Sequence, residues 1–103
     1  MTEGKAHVDI PYDKIQEFCR QWRIKEFAIF GSTLRDDFRP ESDVDVLVTF
    51  QGGAPWGLFE IMEMIEELQK IFGRNVDLVE KEALRNPFRR REILSQCQVV
   101  YAA

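Results

Sequence analysis

Between Pro11 and Trp22 the apolar residues Ile15, Phe18, Cys19 and Trp22 recur at i, i+3, i+4 and i+7, the period of a helix with one buried face. The pattern then changes. Phe27-Ala28-Ile29-Phe30 is a short continuous apolar run ended by Gly31-Ser32, which reads as a buried strand entering a turn. Ser32 is placed to cap a short helix through Asp37, and Pro40 breaks it. Asp43 to Phe50 predicts a second strand, and Gln51 to Pro55 a flexible loop. A long helix follows from about Trp56 to Phe72, with Leu58, Ile61, Met62, Ile65, Leu68 and Phe72 as its inner stripe and Gly73 as its stop. Asn75 to Glu80 predicts a third strand, with Val76 and Leu78 on one face and Asp77 on the other. Asn86-Pro87 reads as a cap followed by a first-turn proline, opening a helix to about Ser95. Gln98 to Tyr101 closes the order as a fourth strand. No internal repeat or low-complexity segment interrupts it.

At 103 residues and 45% apolar composition, residues 1–103 are expected to form a single domain around one core. No apolar run approaches membrane-spanning length, and the polar stretch Met1 to Asp9 is unlike a signal peptide, so a cytoplasmic location without membrane contact is expected. Cys19 and Cys97 lack metal-type spacing and read as free thiols. His7 is the only histidine, which leaves zinc sites and histidine-based triads poorly supported. The net charge of −4 provides no general attraction to nucleic acid, and no direct nucleic-acid partner is expected. The charge is uneven: Glu60, Glu63, Glu66 and Glu67 crowd one segment, and Arg85, Arg89, Arg90 and Arg91 another. Each cluster taken alone is best read as a solvated helix face; together they suit a protein partner or a bound polyphosphate.

The candidate chemistry lies at the head of the second strand. Residues i and i+2 of a strand share a face, so Asp43 and Asp45 project together while Val44, Val46 and Val48 point the other way. Neighbouring carboxylates repel unless a cation lies between them, and a hard divalent ion such as magnesium suits oxygen ligands. If the strand of residues 75–80 lies beside that of residues 43–50, Asp77 joins the pair across a gap of roughly 5 Å. Glycine at Gly31 permits close approach of backbone to phosphate. Singly, each feature has an ordinary reading: Ser42-Asp43 as a turn, Asp77 as a solvent-facing residue, Gly31-Ser32 as a loop. All three, in order at matching strand ends, favour a metal-plus-phosphate site. Neither a Walker A loop nor a dinucleotide-binding glycine fingerprint is present.

Gly31-Ser32, Arg35, Ser42-Asp43-x-Asp45 and Asn75-Val76-Asp77-Leu78-Val79 resemble the minimal nucleotidyltransferases of the polymerase-beta-like superfamily, over roughly Pro11 to Tyr101. The resemblance implies an α+β fold, a mixed sheet of about four strands flanked by helices, that binds a nucleoside triphosphate with magnesium. It implies that Asp43, Asp45 and Asp77 hold two Mg2+ ions, with Asp77 also taking the proton from the acceptor hydroxyl. Gly31 and Ser32 match the turn that grips the triphosphate, and Arg35 matches a position that either contacts phosphate or braces that turn. Small stand-alone members resemble MntA-type antitoxins paired with a HEPN-domain ribonuclease toxin. In that setting the resemblance implies transfer of AMP from ATP to a tyrosine hydroxyl of the toxin. No residues are left for a domain that would hold the acceptor, so the acceptor surface is expected to come from a protein partner. Two other functions compete: a non-catalytic binding antitoxin of the same fold, and the catalytic subunit of a small-molecule, antibiotic-type nucleotidyltransferase. The intact aspartate trio argues against the first, and the nature of the acceptor discriminates the second.

Two further surfaces are candidates for ligand or partner contact. Trp56 and Phe59 could stack on a base or meet a partner, although core packing is the better reading for aromatics at a helix start. Phe88 with Arg89, Arg90 and Arg91 could meet triphosphate or an acidic surface. Three consecutive arginines spread around a helix, so at most two can serve one site.

Overall fold

The structure, a computed structural model, describes residues 10–34 and 42–103. Helix α1 (Tyr12–Gln21) leads through a left-handed Arg23, φ +56°, into strand β1 (Ile24–Phe30). A single 3-10 turn at Gly31–Leu34 follows, and the chain resumes as β2 (Val44–Phe50), α2 (Leu58–Phe72) and β3 (Val76–Glu80). A second 3-10 turn at Lys81–Ala83 precedes α3 (Pro87–Ser95) and β4 (Cys97–Ala102). The strands form one sheet in the order β3-β2-β1-β4. β2 and β3 run parallel, and the β1 pairings are antiparallel, so the sheet is mixed as expected. Helix α2 is the crossover that the parallel β2–β3 pair requires.

Strand alternation divides the core in two. Phe27, Ile29, Val44, Val46, Val48 and Val76 face one side and pack against α1 and α2 through Ile15, Phe18, Cys19, Trp22, Met64 and Leu68. Ala28, Phe30 and Leu47 face the other side and pack against Leu84 and Ile93 of the α3 segment. Two of the predicted helix ends, the close of α2 and the start of α3, have the expected chemistry. Gly73 closes α2 in the left-handed conformation at φ +72°, its N–H donating to the Gln69 carbonyl at 2.8 Å. The Asn86 side chain accepts from the Phe88 and Arg89 N–H groups, with Pro87 at the first helical position. Ile15 N–H, in the first turn of α1, donates to the Pro11 carbonyl at 3.0 Å.

Several boundaries and one helical phase differ from expectation. β1 begins at Ile24 rather than Phe27, because Ile24 is itself buried and pairs with Phe50 across the sheet. α2 begins at Leu58 rather than Trp56. Its inner stripe is shifted in part: Leu68 is fully buried as expected and Ile61 and Phe72 pack on the core, but Met64 is fully buried too, while Leu58 is 73% and Met62 54% exposed. The predicted helix from Ser32 through Asp37 is described only as the turn Gly31–Leu34; Asp37 and Pro40 lie outside the described residues.

Candidate active site

The site is built where three chain segments meet at one end of the sheet. The Val44 N–H donates to the Asn75 carbonyl at 2.9 Å, which starts the β2–β3 ladder at its acidic end. From there the parallel register sets Asp45 directly beside Asp77. On the other flank, Asp45 pairs with Phe30, the last residue of β1, so the Gly31 turn arrives at Asp45. Gly31 has φ +63°, and a β-carbon there would lie 2.7 Å from Asp45 Oδ2. Only glycine satisfies both the left-handed backbone and the close approach of the carboxylate.

The turn is also tied to the strand from within. The side-chain oxygen of Thr33, fully buried, accepts the Asp45 N–H at 2.9 Å. Thr33 therefore fixes the backbone that carries the central carboxylate. Sequence reasoning missed it; a threonine two residues after the Gly31-Ser32 turn is distinguishable from an ordinary buried threonine only once the turn is folded over Asp45.

Asp45 is half-buried, whereas Asp43 and Asp77 are exposed. Asp43 lies just ahead of β2, two residues from Asp45 and on the same face by alternation. The structure thus brings Asp45, Asp77 and Gly31 together, with the exposed Asp43 one residue ahead of β2. Among the described residues no three His, Cys, Asp or Glu side chains converge closely enough to hold one ion. Carboxylates on adjacent strands repel unless a cation lies between them, and the exposed Asp77 can change rotamer toward one shared with Asp45. The donor set is entirely carboxylate oxygen, which fits a hard ion of the magnesium type. Ser32 continues the turn, and Arg35 lies outside the described residues.

These carboxylates open onto the α3 face of the sheet, since Asp45 and Leu47 share a strand face and Leu47 belongs to the α3 core. A cavity of about 170 Å³ adjoins the site between the Gly31 turn and α3, lined by Phe30, Gly31, Glu92, Ile93 and Gln96. A larger cavity of about 400 Å³ includes Thr49, Gly52, Gly53, Trp56 and Glu80 in its lining. It opens at the other end of β2, roughly 17 Å from Asp45 at strand rise, and its lining includes none of Gly31, Asp43, Asp45 and Asp77.

The other sequence candidates sort themselves. Trp56 is part of the core: its ring packs edge-on against Trp22 at 5.1 Å, and its Nε1–H donates to the Trp22 carbonyl at 2.7 Å. Phe59 is 81% exposed, against the core reading. Glu60 accepts the Gly57 N–H, and Glu67 accepts from Trp22 Nε1, so Glu63 and Glu66 are the glutamates left on the exposed surface of α2. Arg90 donates to the Lys81 carbonyl at 3.0 Å, whereas Arg85, Arg89 and Arg91 are exposed.

Carboxylates paired across parallel strands, beside a glycine turn on a mixed four-stranded sheet, are the arrangement that the sequence resemblance implied. Residues 13–100 match the nucleotidyltransferase domain, and the chain belongs to that family. It is 37% identical over 73 residues to a Methanocaldococcus jannaschii protein designated a protein adenylyltransferase, covering 71% of this chain and 73% of the relative. Identity to the protein adenylyltransferase MntA of Thermococcus cleftensis is 35% over 71 residues, covering 69% and 70%. Among solved structures, a toxin–antitoxin with AMP-PNP superposes with a TM-score of 0.73 at 18% identity, covering 91% of this chain and 75% of that one. A complex of a tri-AMPylated Shewanella oneidensis HEPN toxin with an MNT antitoxin superposes at 0.63 and 17% identity, covering 89% and 70%. At these identities the two structures establish the shared fold. Among the described residues no helix is long and apolar enough to cross a membrane.

Proposed function

We propose that this chain is a magnesium-dependent protein adenylyltransferase that moves AMP from ATP to a hydroxyl, a tyrosine by the family resemblance, of a HEPN-type toxin and thereby acts as its antitoxin in the cytoplasm. The observation that carries the reading is the register of Asp45 beside Asp77 with the Gly31 turn against Asp45. The names of the relatives support the adenylyl group, and the neighbouring complexes support a nucleotide and a toxin partner.

In this mechanism the acceptor oxygen attacks the α-phosphorus of ATP, forming a new P–O bond as the bond to pyrophosphate breaks. The Asp77 carboxylate takes the hydroxyl proton, and pyrophosphate leaves with the electron pair. Asp43 and Asp45 with Asp77 would hold magnesium, which supplies neutralisation of the triphosphate charge. Gly31 and Ser32 form the turn against which the triphosphate is held, with Arg35 beside it in sequence. Thr33 keeps Asp45 in place through its backbone.

The test is the intact mass of the protein encoded beside this gene, co-expressed with wild type and with Asp43→Asn/Asp45→Asn. Added mass in adenylyl increments, present only with wild type, is the expected result. A tightly bound but unmodified partner would overturn catalysis in favour of inhibition by binding alone.

A further inference from the structure

Asp77, Asp45, Phe30 and Cys97 are successive register partners, one on each strand, and form a single row across the sheet. Register partners share a face, so the row points toward α3, whose core takes in Phe30 and Cys97. The Arg90 side chain donates to the Lys81 carbonyl, and Lys81 Nζ lies 3.7 Å from Glu26 Oε1. These contacts seat the start of α3 at the end of the sheet away from the row. Its last turn returns to the row, because Cys97, two residues after Ser95, pairs with Phe30. There it encloses the cavity of about 170 Å³ with the Gly31 turn. Phe30 and Ile93 are buried and give this cavity an apolar wall. Glu92 and Gln96, both exposed, give it a carboxylate and an amide.

Charge decides which part of a nucleotide suits this corner. Glu92 places a carboxylate there, and the C-terminal end of α3 turns the negative pole of the helix to the same side. Both oppose a phosphate. Both favour a neutral group that donates hydrogen bonds, and the nucleoside is the neutral end of a nucleoside triphosphate. From β2 to β4 is two strand spacings, roughly 10 Å, so a nucleotide with its α-phosphate over Asp45 can reach the cavity with its base.

Resting on the adenylyl-transfer reading, we propose that the cavity between the Gly31 turn and the last turn of α3 receives the adenine base of ATP, and that Glu92 and Gln96 select it. Adenine carries an exocyclic amino group beside ring-nitrogen acceptors. A carboxylate accepts from the amino group, and a glutamine amide pairs with amino group and ring nitrogen at once. Guanine carries a carbonyl oxygen at the amino position, so Glu92 meets an acceptor with an acceptor and both go unpaired. Glu92 therefore sets ATP above GTP, and Gln96 adds to the hold on adenine. Both are specificity residues, with no part in the bond-making step.

The experiment measures the affinity of wild type, Glu92→Gln, Gln96→Ala and Glu63→Gln for Mg-ATP, Mg-GTP, Mg-2′-deoxy-ATP and pyrophosphate by calorimetry, alongside nucleotidyl transfer to the protein encoded by the adjacent gene. Calorimetry needs no acceptor, so it tests the base assignment separately from the transfer. Wild type should prefer ATP to GTP. Glu92→Gln, whose amide can turn its N–H toward the guanine carbonyl, should cut that preference about ten-fold. Gln96→Ala should weaken Mg-ATP about ten-fold. Glu63→Gln, an equal loss of charge on the exposed surface of α2, should behave as wild type. An ATP preference unchanged in Glu92→Gln and Gln96→Ala would overturn the base assignment and leave the activity standing. So would a Glu92→Gln effect confined to ATP against 2′-deoxy-ATP, which puts the ribose there. Tighter pyrophosphate binding by Glu92→Gln at unchanged base preference would overturn it too, and puts the phosphate tail there. A wild type that binds neither nucleotide would overturn the adenylyltransferase reading itself, and the base assignment with it.

Discussion

Gly31 and Asp45 are held so close that position 31 has no room for a side chain: a β-carbon there would sit 2.7 Å from Asp45 Oδ2, on a backbone with φ +63°. The turn and the central carboxylate thus form one unit. Gly31→Ala forces either the carboxylate or the backbone to move, and the left-handed conformation alone costs about 1 kcal/mol for alanine. Because displacement of a positioned group by about 1 Å can cost on the order of a hundred-fold in rate, transfer should fall steeply while the protein stays folded. Steady-state transfer alongside thermal unfolding checks this. A Gly31→Ala protein with full activity would show that the contact is incidental.

Asp45 and Asp77, register partners on parallel strands, should separate in their effects. Asp45→Asn is expected to lower transfer by about a hundred-fold or more and weaken Mg-ATP binding, since Asp45 is central to the carboxylate set. Asp77→Asn should suppress transfer as strongly but keep measurable Mg-ATP affinity, because Asp43 and Asp45 remain. Chelation of divalent ions should mimic the Asp45 variant and be reversed by magnesium. Loss of Mg-ATP binding in Asp77→Asn would make Asp77 a ligand first and a base second.

Much of this arrangement was legible in the chain because strands enforce a two-residue period. Val44, Val46 and Val48 buried on one face oblige Asp43 and Asp45 to the other, and Val76 with Leu78 does the same for Asp77. Caps at Asn86 and Gly73 were legible for a local reason, since their chemistry involves residues two to four apart. The phase of α2 was not. Nine of its fifteen residues are apolar, so Leu58 and Met62 fit the period beside Leu68 as well as Met64 does, and only the sheet beneath selects Met64. The Trp56 hydrogen bond to Trp22 and the Thr33 bond to Asp45 span 34 and 12 residues, and nothing local encodes either.

Cys19 offers a pH test of the core. Burial pushes its thiol from an ordinary 9.0 up to about 12, so the folded state keeps the proton where the unfolded chain has lost it. Stability is unaffected below pH 9, then falls as pH rises toward 12, because only the unfolded state gains from ionisation there. Cys19→Ala should therefore show a shallower loss of stability between about pH 9 and 11 than wild type, despite a lower starting value from the cavity. Denaturation midpoints across that range measure it. Parallel slopes would mean that Cys19 is reached by water in the fold.

Thr33 links the stability of the turn to the activity of the site. Thr33→Val preserves shape but removes the oxygen that accepts the Asp45 N–H at 2.9 Å, leaving a part-buried donor without its partner. The cost should be about 1–3 kcal/mol of stability. Transfer should fall with it, because the backbone carrying Asp45 is no longer tied to the Gly31–Leu34 turn. Thr33→Ser restores the hydroxyl and loses only a methyl group, roughly 0.8 kcal/mol of burial. If the hydroxyl is what matters, serine should recover transfer while recovering stability only in part. If valine instead matches wild type in transfer, Thr33 acts through packing alone, and Asp45 is held by the strand ladder without help from the turn.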